Sequence, residues 1–404
     1  MKDSLKMFAS ALELESPWYV EGIEFKGTGK DKQLHIYLAH ERRVKFKYEE
    51  EEYPVYDHQQ RCWRHLNFFQ HECYIHASVP RVKTREGKVK LVGLSWAKPG
   101  SSFTLLFEYD VLNLIRGGMS NSMAASRLSI GAKRVFGIVR RHVSYALATQ
   151  DLSKVKEMSV DETSSKKGHN YFTILADRIA KKVVGIAVGK DKEAFAHALV
   201  DMEVRGADRT EVKSITMDMS RSYIAAVNEY MCETDIVFDR FHIVKKMNEA
   251  VDQIRRGEQR QYDELKKTRY LWLRNNSNLS EMQRDKISYL STSYPEIGTA
   301  YRLKELLKNI LDDAYYDQRL GPLNEWMTEA WKSELKPIQD FVNMLRTHWY
   351  GVKTYFKKLA TNAYAERINL KIQEIKRIAK GYRNSNNFML MIYFHLGGLN
   401  FETH

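Results

Sequence analysis

Between Pro99 and Pro295 the chain contains no proline, although four of its seven prolines fall within the first 99 residues. A long stretch free of the residue that interrupts helices and central strands can hold regular elements in unbroken succession. The apolar period changes along it. FTLLFEYDVLNLIRGG, SNSMAASRLSI and GAKRVFGIVRRHVSYALA carry helical spacing over about 104–148, with a Gly-Gly pair and Gly131 as punctuation. From about 155, EMSVDE, NYFTILAD and KVVGIAVG read as three strands. Helix DKEAFAHALVDM, strand VKSITMDM, helix SRSYIAAVNEYM and strand TDIVFDRF follow.

Three strands in a meander, then helix, strand, helix, strand, is the element order of the ribonuclease-H-like fold, a mixed sheet in which the first and fourth strands are neighbours. Residues 243 to about 345 are almost entirely helical in pattern and read as an insertion ahead of a final helix. The first 100 residues alternate apolar and polar positions in short runs: QLHIYLAH, KFKYEE, HECYIHASVPRV and KVKLVGLSW. Between them EEEEY reads as a solvated turn. The expected class is an α/β core with a ribonuclease-H-like mixed sheet and a helical insertion, preceded by a small β-rich module and a helix-turn-helix domain. The expected boundaries are 1–100 for the β-module, 101–150 for the helix-turn-helix, 151–245 and 346–404 for the core, and 246–345 for the insertion.

A hydrophobic share of 43% and an aromatic share of 12% exclude a disordered chain. No run of about 18 apolar residues suggests a membrane span, and MKDSLKMFASALELESPW lacks the pattern of a secretory signal. The cytoplasm is the expected compartment. Three cysteines, Cys62, Cys73 and Cys232, make an odd count that fits a reducing compartment. A formal net charge of +13 favours a polyanionic partner, since each neutralised phosphate releases counterions.

Three acids stand in distinctive contexts: Asp161 in SVDETSSKKGHNYFTILAD, Asp218 in VKSITMDMSRSY and Glu366 in TNAYAERINLKIQEIKR. Neighbouring first and fourth strands would bring Asp161 and Asp218 side by side. Carboxylates a few ångströms apart repel one another unless a cation lies between them, so a triad in a groove implies two Mg2+ or Mn2+ ions and phosphoryl transfer. The bland alternative is that strand-end aspartates cap helices. Asp218 could do so for SRSYIAAVNEYM, although Ser220 is better placed. Asn362, Glu366 and Asn369 recur at i, i+4 and i+7 and share one helix face. Asp239 and His242, in VFDRFHIVKK, end the strand expected beside that of Asp218. They read either as accessory groups that contact phosphate or orient water, or as a structural Asp–Arg pair and a core histidine.

Lys133, Arg134, Arg140 and Arg141 on the third helix, and Lys371, Lys376, Arg377, Lys380 and Arg383 beyond Glu366, offer tracks for a DNA backbone. A solvated basic helix is the alternative for each. Cys62, His65, Cys73 and His76 form two CxxH pairs that superficially resemble zinc-ligand spacing. In a strand, however, Cys73 and His76 would point to opposite faces.

RCWRHLNFF, VPRVK, LSWAKPGSSFTLLFE, VDETSSKKGHNYFTILAD, TMDMSRSYIAAV, DIVFDRFHIVKKMNEAVDQIRR, KKTRYLWLRN and TNAYAERINLKIQEIKRIAKGYRN together resemble transposases of the ISL3 family of bacterial insertion sequences. The resemblance runs over most of the chain. It implies a DDE transposase with Asp161, Asp218 and Glu366 as its metal-binding triad. It further implies cleavage and joining of double-stranded DNA at terminal inverted repeats, target DNA as a second partner, and a homodimer or larger assembly. A DNA-binding regulator without chemistry and a structure-selective nuclease on the same fold are the rival readings. The resemblance also implies a zinc-ribbon-like N-terminal module with cysteine knuckles. Here KYEEEEYPVYDHQQ and RVKTREGKVKL stand where the cysteines are expected, which argues against structural zinc.

Overall fold

A computed structural model describes residues 2–166, 170–312, 320–358 and 363–401. They divide into two units, one running to Ala146 with Asn400 and Phe401 added, the other Leu147–Leu399.

Alternation in the first unit produces a sheet. After helix α1 (Lys2–Ala11) come β1 (Trp18–Lys26), β2 (Gln33–His40), β3 (Lys45–Tyr48), β4 (Glu51–Phe68), β5 (His71–Lys83) and β6 (Val89–Leu91). The strand order is β1-β2-β5-β4-β3, with β6 also on β5. β2 runs parallel to β5 and the other pairs are antiparallel. Leu34, Ile36 and Leu38 on β2, Trp63 on β4, and Cys73, Ile75, Ala77 and Val79 on β5 fill the covered face. Each fully buried aliphatic side chain among them contributes roughly 1.5–3 kcal/mol. Trp96 meets both Trp18 and Trp63 edge-on, at centroid distances of 4.8 and 5.9 Å.

The acidic run differs from the turn expected of it. Glu49 and Glu50 do turn, Glu49 with φ of 55°, but Glu51 already belongs to β4. Half-buried Tyr53 and Val55 continue its alternation, so the strand absorbs the acids on its way to Trp63.

Three helices follow, α2 (Leu105–Arg116), α3 (Asn121–Leu128) and α4 (Ala132–Ala148). Thr104 and Ser120 cap the first two by accepting from the amides of Phe107 and Met123. Buried Glu108 on α2 accepts from Ser101, Arg141 and His142, which fastens α4 to α2.

The second unit is built on β7 (Glu157–Lys166), β8 (Asn170–Asp177), β9 (Lys182–Val188), α5 (Lys192–Glu203), β10 (Ser214–Met217), α6 (Arg221–Tyr230) and β11 (Asp235–Phe238). The order across the sheet is β11-β10-β7-β8-β9, so the first and fourth strands of the series are neighbours. β7, β8 and β9 form an antiparallel meander; β7, β10 and β11 run parallel. At Gly185 on β9 the backbone of α5 comes so close that a Cβ would collide with the Ala198 carbonyl.

Helices α7 (Arg240–Glu258), α8 (Arg269–Leu273), α9 (Glu281–Ser293), α10 (Pro295–Asp312), α11 (Leu320–Lys332) and α12 (Lys336–Thr347) make up the region expected to be helical. α13 (Trp349–Lys358) lays Gly351 against the Phe238 ring at the end of β11. α14 (Ala363–Ile378) and α15 (Ser385–Leu396) complete the unit. α15 is tied to α5 through buried Tyr393, whose hydroxyl donates to Asp201 and accepts from Arg205.

Candidate active site

The pairing of β7, β10 and β11 decides where the acids fall. Thr216 pairs with Ser159, and Met217 with Phe238. Continuing both registers by one or two residues sets Asp161, midway along β7 rather than at its end, in a row with Asp218 and Asp239, which directly follow the carboxyl ends of β10 and β11, neighbours about 4.8 Å apart. Residues in register point to the same face of a sheet, so the three carboxylates share one environment.

Asp161 shows the consequence. Its Oδ1 accepts from the Glu162 amide at 2.7 Å and its Oδ2 from the Asn369 side-chain amide at 2.7 Å. Burial pushes its carboxyl up to about 6, with further upward contributions from Asp218, Glu162 and Asp239. The same field reaches buried Tyr223, raised by burial and by Glu162, Asp218 and Asp161; its hydroxyl is hydrogen-bonded to Thr173.

Asp218 accepts from the Ser220 amide at 2.9 Å, while the Ser220 side chain, at the N-cap position of α6, makes no capping bond. The better-placed cap is therefore unused, and Asp218 turns the chain without reaching further into the helix. Asp239 caps α7 with Oδ1, which accepts from Phe241. Its Oδ2 is buried with no hydrogen-bond partner, in a residue 3% exposed. A carboxylate oxygen in that state carries a desolvation cost that a cation would remove.

α14 brings in the third acid's surroundings. Asn369 bonds Asp161, Gln373 donates to Thr163 at 3.1 Å and Lys376 to the Ser164 carbonyl at 3.2 Å. Glu366 lies one helical turn before Asn369 with its side chain exposed. Asn362 lies outside the described residues. His242 sits in the first turn of α7, half-buried beside the Phe241 ring. Gln373 extends the polar stripe of Glu366 and Asn369, and its i+4 spacing from Asn369 was visible in the sequence. Tyr223 carried no such signal.

Among the described residues, no three His, Cys, Asp or Glu side chains stand close enough to hold a metal ion as placed. At the acidic row the hydrogen bonds on Asp161 hold its oxygens toward protein donors. The donor set nevertheless fits a hard divalent cation in kind: carboxylate oxygens, one of them buried and unpartnered, another on an acid whose proton affinity is raised by burial and by the acids beside it.

A pH dependence follows. The folded-state value of about 6 lies above the ordinary 3.8, so the fold binds a proton more readily than the unfolded chain does. Without metal this contribution to stability is full below about pH 4 and is lost as pH rises through about 6. Added Mg2+ or Mn2+, competing with the proton, is expected to raise the melting temperature at pH 8 and have little effect at pH 5. Equal metal effects at both pH values, or the same pH slope in Asp161→Asn, would contradict this.

The basic residues differ in their partners. Arg134 donates to Ser102 and stacks over Phe103, and Arg141 is engaged with Glu108. Lys371 pairs with Glu374. Lys133, Arg140, Arg377, Lys380 and Arg383 are exposed. Among the described residues, no helix is long and apolar enough to cross a membrane.

Residues 158–392 match the family model of the ISL3 transposases, and residues 51–86 match the zinc-finger of the transposases of IS204, IS1001, IS1096 and IS1165. The chain is 26% identical over 343 residues to the transposase for insertion sequence element IS1001 of Bordetella parapertussis, covering 81% of this chain and 82% of that one. It is 23% identical over 370 residues to the transposase for IS1557 of Mycobacterium tuberculosis, covering 84% and 82%.

Proposed function

Because this chain belongs to the ISL3 family of transposases, we propose that it binds the terminal inverted repeats of an insertion sequence and catalyses metal-dependent cleavage and transfer of DNA strands. The row of Asp161, Asp218 and Asp239 across three adjacent parallel strands carries this reading. The strand order supports a ribonuclease-H-like core, and α2, α3 and α4 support a helix-turn-helix that reads the DNA ends.

Asp161, Asp218 and Glu366 would hold two divalent cations, and the unpartnered Asp239 Oδ2 would be available as a further ligand. Bound there, Mg2+ or Mn2+ would supply an activated attacking oxygen and charge stabilisation at the leaving oxygen. Asn369 acts as a positioning residue, fixing one oxygen of Asp161 through its amide. His242, in the first turn of α7, would contact a phosphate or orient water. Lys133, Arg140, Arg377, Lys380 and Arg383 supply phosphate contacts, and pairing of two DNA ends calls for a homodimer or larger assembly.

Replacing Asn369 by leucine is expected to lower cleavage roughly 10–100-fold, as for other groups that orient a metal ligand. The same variant should weaken Mn2+ binding while leaving DNA binding intact; an unchanged Mn2+ affinity would remove Asn369 from this role.

The function is tested with a labelled duplex carrying the element's ends, supplied with Mg2+ and target DNA. Cleaved and joined products are expected. Binding without any cut would indicate a regulator, and hydrolysis that never yields joined product would indicate a nuclease.

A further inference from the structure

The match of residues 51–86 to a zinc-finger predicts a structural metal, and the donors of that segment do not fit one. Tetrahedral structural zinc needs four nitrogen or sulfur ligands converging on one point. The pairing of β4 with β5 sets Cys62 opposite His76 and His65 opposite Cys73. Residues three apart on a strand face opposite sides, so these four are divided two and two between the faces of the sheet, while the segment's other two histidines, His58 and His71, are hydrogen-bonded to His40 and to the Lys32 carbonyl.

Neither pair is completed. On the covered face Cys73 is 1% exposed within the apolar core, and His65 is hydrogen-bonded to Thr104 at 2.9 Å. On the other face His76 meets the His35 ring nitrogen at 2.8 Å, while the Cys62 sulfur lies 4.0 Å from His76. Among the described residues no group of three such side chains could hold a metal.

Other interactions close the hairpin. Near its open end Arg85 pairs with Glu51 at 2.8 Å, and Arg81 grips both oxygens of Asp57 at 2.7 and 2.5 Å. The turn after β5 is closed by backbone bonds between Thr84 and Lys88 and between Gly87 and Thr84, with Gly87 at a φ of +77°. Exposed ion pairs of this kind stabilise little. The larger share falls to Trp63, Ile75, Val79, Val82 and Trp96, with Leu5 and Phe8 of α1 packed against them.

We infer that the N-terminal module of this transposase folds and stays folded without a structural metal, its sheet held by an apolar core and hairpin ion pairs where relatives of the matched segment use zinc. Full-length protein carrying Asp218→Asn, which weakens metal binding at the acidic row, is purified without added metal. Zinc content is measured by mass spectrometry and melting is recorded with and without a chelator. No stoichiometric zinc and no change in melting are expected. The double variant Cys62→Ser, Cys73→Ala, which removes both thiols without adding volume to the core, should bind DNA as its parent does and melt within a few degrees of it, and Trp63→Ala should lose both. One zinc per chain whose removal lowers the melting temperature, or loss of zinc in the cysteine variant, would overturn the inference.

Discussion

Asp218→Asn is expected to reduce strand cleavage and joining by at least about 10³-fold while DNA-end binding stays within a few-fold of wild type. Metal-assisted charge stabilisation supplies several kcal/mol at the transition state, and each 1.36 kcal/mol is tenfold in rate. Asparagine keeps the shape, and its carbonyl can still accept from the Ser220 amide, as Asp218 does now. What it removes is one negative charge from the row. Glu366→Gln should behave in the same way, although its side chain is exposed. Asp161→Asn adds a second signature. Because the Asp161 carboxyl is held up by burial and by Asp218 and Asp239, neutralising it should stabilise the metal-free protein at pH 7 while abolishing chemistry. A gain in melting temperature with a loss of cleavage separates a metal ligand from a merely structural acid. Comparable activity in Asp218→Asn would contradict the assignment directly.

Gly185→Val is expected to cost about 3 kcal/mol or more, the upper end for overpacked cores. A side chain at Gly185 would run into the backbone carbonyl of Ala198, and backbone cannot step aside as a flexible side chain can. α5 would have to lift from β8 and β9, opening the contacts of fully buried Phe195, Ala198 and Leu199. Denaturant unfolding should show a lower midpoint for the second unit. An unchanged midpoint would mean that the helix sits further from the sheet than described.

Much of this architecture was legible because parallel pairing is unforgiving. Once EMSVDE and VKSITMDM are neighbouring parallel strands, the acids that follow their apolar residues fall beside one another, although both faces of β10 are buried and the register is set by packing on both sides. The three helices after residue 104 were legible from Gly117, Gly118 and Gly131 and from helical spacing. The first strands were harder. β4 begins in an acidic run that resembles a turn, and its alternation emerges at Tyr53 and Val55. α1 and β1 carried no clear periodicity signal in the sequence. That the CxxH pairs would not converge was legible too, since strand alternation already puts Cys73 and His76 on opposite faces, and the pairing of β4 with β5 adds that Cys62 and His65 are divided in the same way. Glu366 was placed by resemblance and by the stripe it shares with Asn369; that Asn369 binds Asp161, 208 residues earlier, is a tertiary contact no local spacing encodes. The unused side chain of Ser220 and the buried oxygen of Asp239 likewise depend on how loop ends settle after the strands pair.

The central claim is that Asp161, Asp218 and Glu366 serve one metal site. Fe2+ substituted for Mg2+ generates hydroxyl radicals that cut the polypeptide beside the bound ion. Cuts clustered near residues 161, 218 and 366, suppressed by excess Mg2+ and absent in Asp218→Asn, are the result predicted here. Cuts that spare the Glu366 helix, or that persist unchanged in the variant, would contradict it.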